Sequence, residues 1–172
     1  MRTIPDPGFA GDDGGVDPVV SAALAAYDAA AGQGGAVETD LHHAALAVLQ
    51  DARVLVPVVA LLGEVEHDEQ GLAHDKTSDM AAVLMTGHDG RTALLAFTGN
   101  ASMTSWKSEA RPVPVTTRDA ARAALQDEAA ALLLDVAGPT MFVIETDELR
   151  SLAEGIRLVR VQDAWAWARV PD

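Results

Sequence analysis

The sequence contains no cysteine. A disulfide scaffold, thiol catalysis and cysteine-based zinc sites are therefore excluded. Lysine is almost missing, with Lys76 and Lys107 its only representatives. The 12 Lys+Arg face 26 Asp+Glu, a formal net charge of -14. Binding nucleic acid requires phosphates to be neutralised, so this balance argues against it. No apolar run approaches the roughly 18 residues that mark a membrane-spanning helix. The opening MRTIPDPGFAGDDGG has no apolar stretch behind Arg2, so it does not read as a secretory leader, and a cytoplasmic location is expected. Enzyme signatures are missing too. Ser102, Ser105 and Ser108 stand in no GxSxG elbow, and the glycines at 11–15 lack the Lys-Ser/Thr of a phosphate loop. No cofactor is implied.

Apolar residues nevertheless make up 49% of the 172 residues, enough for one packed domain. Val16, Val20, Leu24 and Tyr27 recur at three- and four-residue steps, which predicts a helix over 17–31. Asp17 caps it and Pro18 suits its first position. A second helix is expected over 40–52, capped by Thr39. RVLVPVVALL (53–62) is β-branched and continuously apolar, as a strand covered on both faces would be. Pro57 inside it points to an edge or a bulge. Two apolar runs around His88-Asp89-Gly90-Arg91 predict a hairpin with a type I′ turn. Arg111 to Val115, RPVPV, is extended because residues before proline avoid the helical region. A third helix is expected over 117–128, a second hairpin over 131–145, and a short helix after Thr146. Trp165 and Trp167 would share one face of an extended segment, but strand and helix both remain open for 156–172. These elements predict an α/β or α+β layered fold: a mixed, largely antiparallel sheet of about five strands with helices packed against it.

The ordered set ALAVLQDARVLVPVV, DMAAVLMTGHDGRTALLAFTG, Trp106 followed by RPVPV, and AALLLDVAGPTMFVIETDELRSLAEG resembles the N-terminal domain of the SseB family, the enhanced serine sensitivity proteins. The resemblance implies a mixed α/β domain without an established enzymatic activity. The family name records a growth phenotype of bacteria and carries no chemistry. Asp127-Glu128 stands where the resemblance implies a glycine. The organisation expected is a flexible tail over 1–15, a helical extension over 16–38, an SseB-like domain over 39–155, and a tryptophan-containing segment over 156–172 docked on it.

Each candidate site residue also has a plainer role. The acidic segment 64–79 offers hard oxygen and imidazole ligands in His67, Asp68, His74 and Asp75, yet its spacing matches no EF-hand loop. A solvated charge run is the plainer reading. Arg91 beside the Asp-Gly turn is exposed turn chemistry that can touch a partner. Trp106 with Lys107, and the pair Trp165 and Trp167, either plug the core or form an apolar contact surface. The function expected is that of a cytoplasmic, non-enzymatic interaction or regulatory module, with a protein partner or self-association. The alternatives are a hydrolase-type enzyme using loop carboxylates with His67 or His74, and a small-ligand or metal sensor.

Overall fold

The computed structural model describes residues 8–60 and 80–170. The chain opens with two antiparallel-packed helices, α1 (Pro18–Ala30) and α2 (Gly35–Leu49). Asp17 caps α1 as its sequence position demands, its Oδ1 accepting the Val19 N–H at 2.7 Å. Helix α2 begins five residues before the expected start. The Glu38 carboxylate reaches back to accept the Gly34 N–H at 2.8 Å and so caps the earlier turn. Thr39, expected as the cap, instead donates its hydroxyl to Gly35 O at 3.1 Å within the helix.

Nine strands follow among the described residues. The first group is β1 (Arg53–Ala60), β2 (Met80–Ala82) and β5 (Arg111–Thr116), in the order β2-β1-β5. The second is β3 (Leu84–Thr86), β4 (Thr92–Ala96), β6 (Ala131–Leu134) and β7 (Phe142–Glu145), in the order β3-β4-β6-β7. Between them run α3 (Asn100–Trp106), α4 (Thr117–Gln126) and α5 (Thr146–Ala153). A final hairpin joins β8 (Arg157–Val161) to β9 (Ala164–Ala168), which resolves the C-terminal segment as strand. The expected α+β class and largely antiparallel pairing hold, with β4 and β6 the one parallel pair among the described strands. The strands are divided into sheets of three, four and two rather than gathered into one of about five. Leu55 and Phe97 join the first two sheets by reciprocal backbone hydrogen bonds of 2.8 Å.

β1 is buried on both faces, with Val54 and Val56 in one core and Leu55 in the other. It lies mid-sheet, so Pro57 is not on an edge strand. Backbone groups alternate sides along a strand, and those of Leu55 point at Phe97. Pro57 faces that same side, in the gap between this bridge and the pairing with β2 that starts at Val58. Its missing donor therefore costs no ladder bond. The edge prolines are Pro112 and Pro114, which oppose Pro57 and Leu55 and turn their nitrogens away from β1.

The 87–91 hairpin differs from expectation in its turn. Gly90 N–H donates to Gly87 O at 3.0 Å and Gly87 N–H to Arg91 O at 2.8 Å, and only Gly90 of this loop has positive φ. This is a type I turn closed by a left-handed glycine, which spares Asp89 the positive φ that a type I′ turn would impose.

The main core lies between one face of the sheets and helices α1, α2, α4 and α5. Leu94, Leu132, Leu134, Phe142 and Ile144 meet Leu24, Leu46, Leu49, Ala124 and Leu149 there. A smaller core on the opposite face joins Leu55, Leu95 and Phe97 to Met103 of α3. The expected tail over 1–15 is described from residue 8 onward, and that part is anchored. Arg53 pairs with Asp12 and donates to Gly15 O at 2.6 Å, while Asn100 N–H donates to Gly14 O at 2.8 Å. No helix among the described residues is long and apolar enough to cross a membrane.

Candidate functional site

Side chains alternate across a strand, so burying one face of β3-β4-β6-β7 under helices commits the other set outward. The registers align these outward residues into two rows. Met85, Ala93, Ala131 and Glu145 form one, and Leu95, Leu133 and Val143 the other. Helix α3 covers one end of this face. There Trp106 is half-buried, with its ring 5.5 Å from that of Phe97. Beyond α3 no other element among the described residues covers the face. It holds a shallow hollow of about 270 Å³ lined by Met85, Ala93, Leu133 and Val143. The far rim is charged: Arg91 Nη2 donates to Glu145 Oε2 at 2.5 Å, with Asp89 at 4.0 Å. Hydrogen bonding to Glu145 raises the Arg91 guanidinium further above its ordinary value, and it stays charged.

Two of the residues singled out in the sequence, Trp106 and Arg91, thus border one face. Lys107, the C-cap of α3, is exposed beside Trp106. Trp165 and Trp167 lie elsewhere. Both pack on the main core from β9. Trp165 Nε1 donates to Asp40 Oδ1 at 2.8 Å while Arg160 lies over its ring at 5.4 Å. Gln50 at the end of α2 completes this docking. Its Oε1 accepts the Leu158 N–H at 2.9 Å and its Nε2 donates to Leu158 O at 3.0 Å. His67, Asp68, His74 and Asp75 lie outside the described residues, and among the described residues no group of three or more His, Asp or Glu is arranged to hold a metal.

Two further clusters lie apart from the site residues named from the sequence. The first surrounds His42. Its ring stacks on Phe142 with centroids 4.7 Å apart, and its Nε2 lies 2.8 Å from Glu148 Oε1. Tyr27 meets both rings edge-on. An open hollow of about 350 Å³ adjoins them, bordered also by Glu38 and Thr39. Burial, then the charges of Glu38, Asp28 and Glu148, raises the Tyr27 phenol above its ordinary value. The polar groups here are engaged in helix ends: Glu148 Oε2 accepts the Glu145 N–H at 3.0 Å in the capping box of α5, and Glu38 caps α2. Adjacent His43 diverges toward Trp165, as neighbours on a helix must.

The second cluster lies where β4 and β6 end side by side. Asp135 is 1% exposed, and its two oxygens accept from Thr98 N–H at 2.9 Å and Thr98 Oγ1 at 2.6 Å. These residues face a cavity of about 400 Å³ beneath the 14–16 segment and α1. The signal available in the sequence was an aspartate closing an apolar strand, ALLLD, which also reads as a simple strand end.

No curated protein and no solved structure matches the chain. A family model, described as the SseB protein N-terminal domain, matches residues 20–151. The match starts within α1. It stops within α5, leaving the β8-β9 hairpin beyond it. With most of its length inside this match, from α1 through α5, the chain belongs to the SseB family.

Proposed function

We propose that this SseB-family chain is a cytoplasmic, non-enzymatic interaction module that binds another protein through the outward face of β3-β4-β6-β7. One observation carries the reading. Met85, Ala93, Leu133 and Val143 form a continuous apolar surface that α3 leaves uncovered, bounded by Trp106 and by the Arg91–Glu145 pair. An apolar centre with a polar rim and an aromatic anchor is the anatomy of a protein contact. The partner is a different protein rather than a second copy, because copies each carrying -14 repel one another. A partner presenting an apolar side chain ringed by basic residues fits both the hollow and the charge. The engagement of Glu148 and Glu38 in helix ends, with His42 held between Glu148 and Phe142, supports a structural role for that acid–imidazole group.

The test places a photo-crosslinking amino acid at Val143, and in a second protein at Val37, which is 59% exposed on α2. Irradiation in the native cell is expected to yield one adduct from position 143 and none from 37. The adduct partner, purified, should bind the wild type and lose at least about tenfold affinity to folded Leu133→Glu, a typical cost at a central contact. A self-adduct, equal labelling from both positions, or unchanged affinity of Leu133→Glu overturns the reading.

A further inference from the structure

We infer that the cavity at the ends of β4 and β6 binds a small organic cation, a protonated amine on a short apolar body. The volume of about 400 Å³ falls in the range of small-molecule sites, roughly 300–1,000 Å³. Its walls are Val16, Leu24, Ala25 and Pro139, which suit hydrocarbon. Its polar end is built from buried groups: Asp135, Thr98, Ser102 and Thr140 are all under 8% exposed. Asp135 decides the sign of the ligand. A carboxylate offers about four acceptor positions, and two are filled, both by Thr98. Among the described residues no cationic side chain pairs with it. The guanidinium of Arg53 approaches this end but is spent on Thr98 O, Gly15 O and Asp12. Ser102 gives its proton to Gly99 O at 2.9 Å, so its oxygen faces outward from that bond as an acceptor.

The lining therefore has acceptors to spare and a buried carboxylate with no counter-charge. An ammonium group supplies both donors and charge, and burying a charge is favourable only when it is paired and hydrogen-bonded. An anion would meet Asp135 head-on. A neutral alcohol would leave the charge unpaired. A bare divalent cation needs about six to eight oxygen ligands, which apolar walls do not provide. Entry is from the rim formed by Ser21, Ala25 and Ala101, all exposed. This site lies away from the proposed protein-contact face and stands independently of it.

The experiment is an amide chemical-shift titration with butylammonium chloride, with 1-butanol and sodium butyrate as matched controls. Concentrations to about 50 mM are used because so small a ligand binds weakly. Butylammonium is expected to give saturable shifts at Thr98, Gly99, Ser102 and Asp135. Butanol and butyrate should bind at least about tenfold more weakly, the worth of one charge-assisted hydrogen bond. Asp135→Asn should abolish the preference for the amine. Ala25→Trp, which narrows the mouth and leaves the carboxylate intact, should weaken butylammonium binding without unfolding the protein. Equal affinity for butanol and butylammonium, or shifts confined to other residues, overturns the inference. So does unchanged amine affinity in Ala25→Trp, which decides the matter even if Asp135→Asn fails to fold.

Discussion

Replacing Gln50 with alanine removes the two hydrogen bonds that tie the last hairpin to α2. Leu158 opposes Trp167 across the hairpin, and its backbone N–H and C=O turn away from β9 toward the Gln50 amide. The side chain thus acts as one rung of a neighbouring strand. Leu158 is 2% exposed, so both backbone groups lose their partner in a largely dry place. Each buried unpaired group costs about 1–3 kcal/mol. Gln50 itself is half-buried, so water reaches part of the vacated space and the low end of that range applies. The expected loss is about 2 kcal/mol, or about 4–8 °C in Tm for a chain of this length. Gln50→Glu keeps the acceptor for Leu158 N–H but sets a carboxylate against Leu158 O, so it should lose at least as much at neutral pH. Urea unfolding gives the global value. Amide exchange at Leu158 and tryptophan emission report whether the hairpin opens by itself, exposing Trp165 and Trp167. If Gln50→Ala changes stability by less than about 0.5 kcal/mol and leaves Leu158 exchange unaltered, the docking argument is wrong. Trp165 and Trp167 would then be free to serve a partner.

Four further outcomes follow from the same geometry. Leu132→Ala empties a fully buried position on β6 between β4 and β7, and should cost about 2–5 kcal/mol in urea unfolding. Glu128 occupies φ 55°, the left-handed position that closes α4, where Ala129 N–H returns to Ala124 O at 2.8 Å; Glu128→Gly should raise stability by about 0.5–1 kcal/mol. Hydrogen bonding to Arg157 holds the Asp51 carboxyl below its ordinary value, so this pair stabilises above the unfolded-state pKa and the contribution disappears as pH falls through the folded one. A carboxyl-carbon titration by NMR should show the depression, and Arg157→Gln should remove it. Tyr27 is the single tyrosine, so ultraviolet difference absorbance reads it directly; its phenol should titrate above 10.0, with stability lost as pH rises through that raised value.

Local chemistry was legible in the sequence at several points where a side chain acts on its own segment. Asp17 and Pro18 start α1 where their chemistry puts them, and the alternation in 131–145 yields the β6-β7 hairpin. Glu38 escaped notice because its capping role depends on how tightly the Gly32–Gly35 turn brings α2 back, and the more familiar cap, Thr39, stood one residue on. Pro57 was readable as a missing donor but not as a residue spared by the Leu55–Phe97 bridge, since that bridge joins strands far apart in sequence. Glu128 was visible only as a departure from a glycine, and the positive φ explains what the glycine would have relieved. The Thr98–Asp135 contact needs the parallel pairing of β4 with β6, which two helices and a strand separate. No short-range pattern encodes that pairing, so the cavity it closes lay beyond the sequence.

For the partner proposed above, the manner of recognition depends on where the sheets keep unpaired backbone. A partner adding a strand needs a free edge with donors at alternate positions. The outer edge of β5 has proline at two successive outward positions, Pro112 and Pro114, so it presents no donor where an added strand would seek one. The edges of the four-stranded sheet are β3 and β7, of three and four residues, too short to hold a peptide by backbone bonds alone. Side-chain contact across the rows of β4, β6 and β7 is the route that the proposed contact face offers. Such contact depends on Leu133 and Val143 and is indifferent to the edge of β5. Val113→Thr changes that edge strand without touching the face, and partner affinity should be unaltered by it while Leu133→Glu loses at least about tenfold. Equal losses in the two variants would mean that the partner joins the β5 edge despite its prolines.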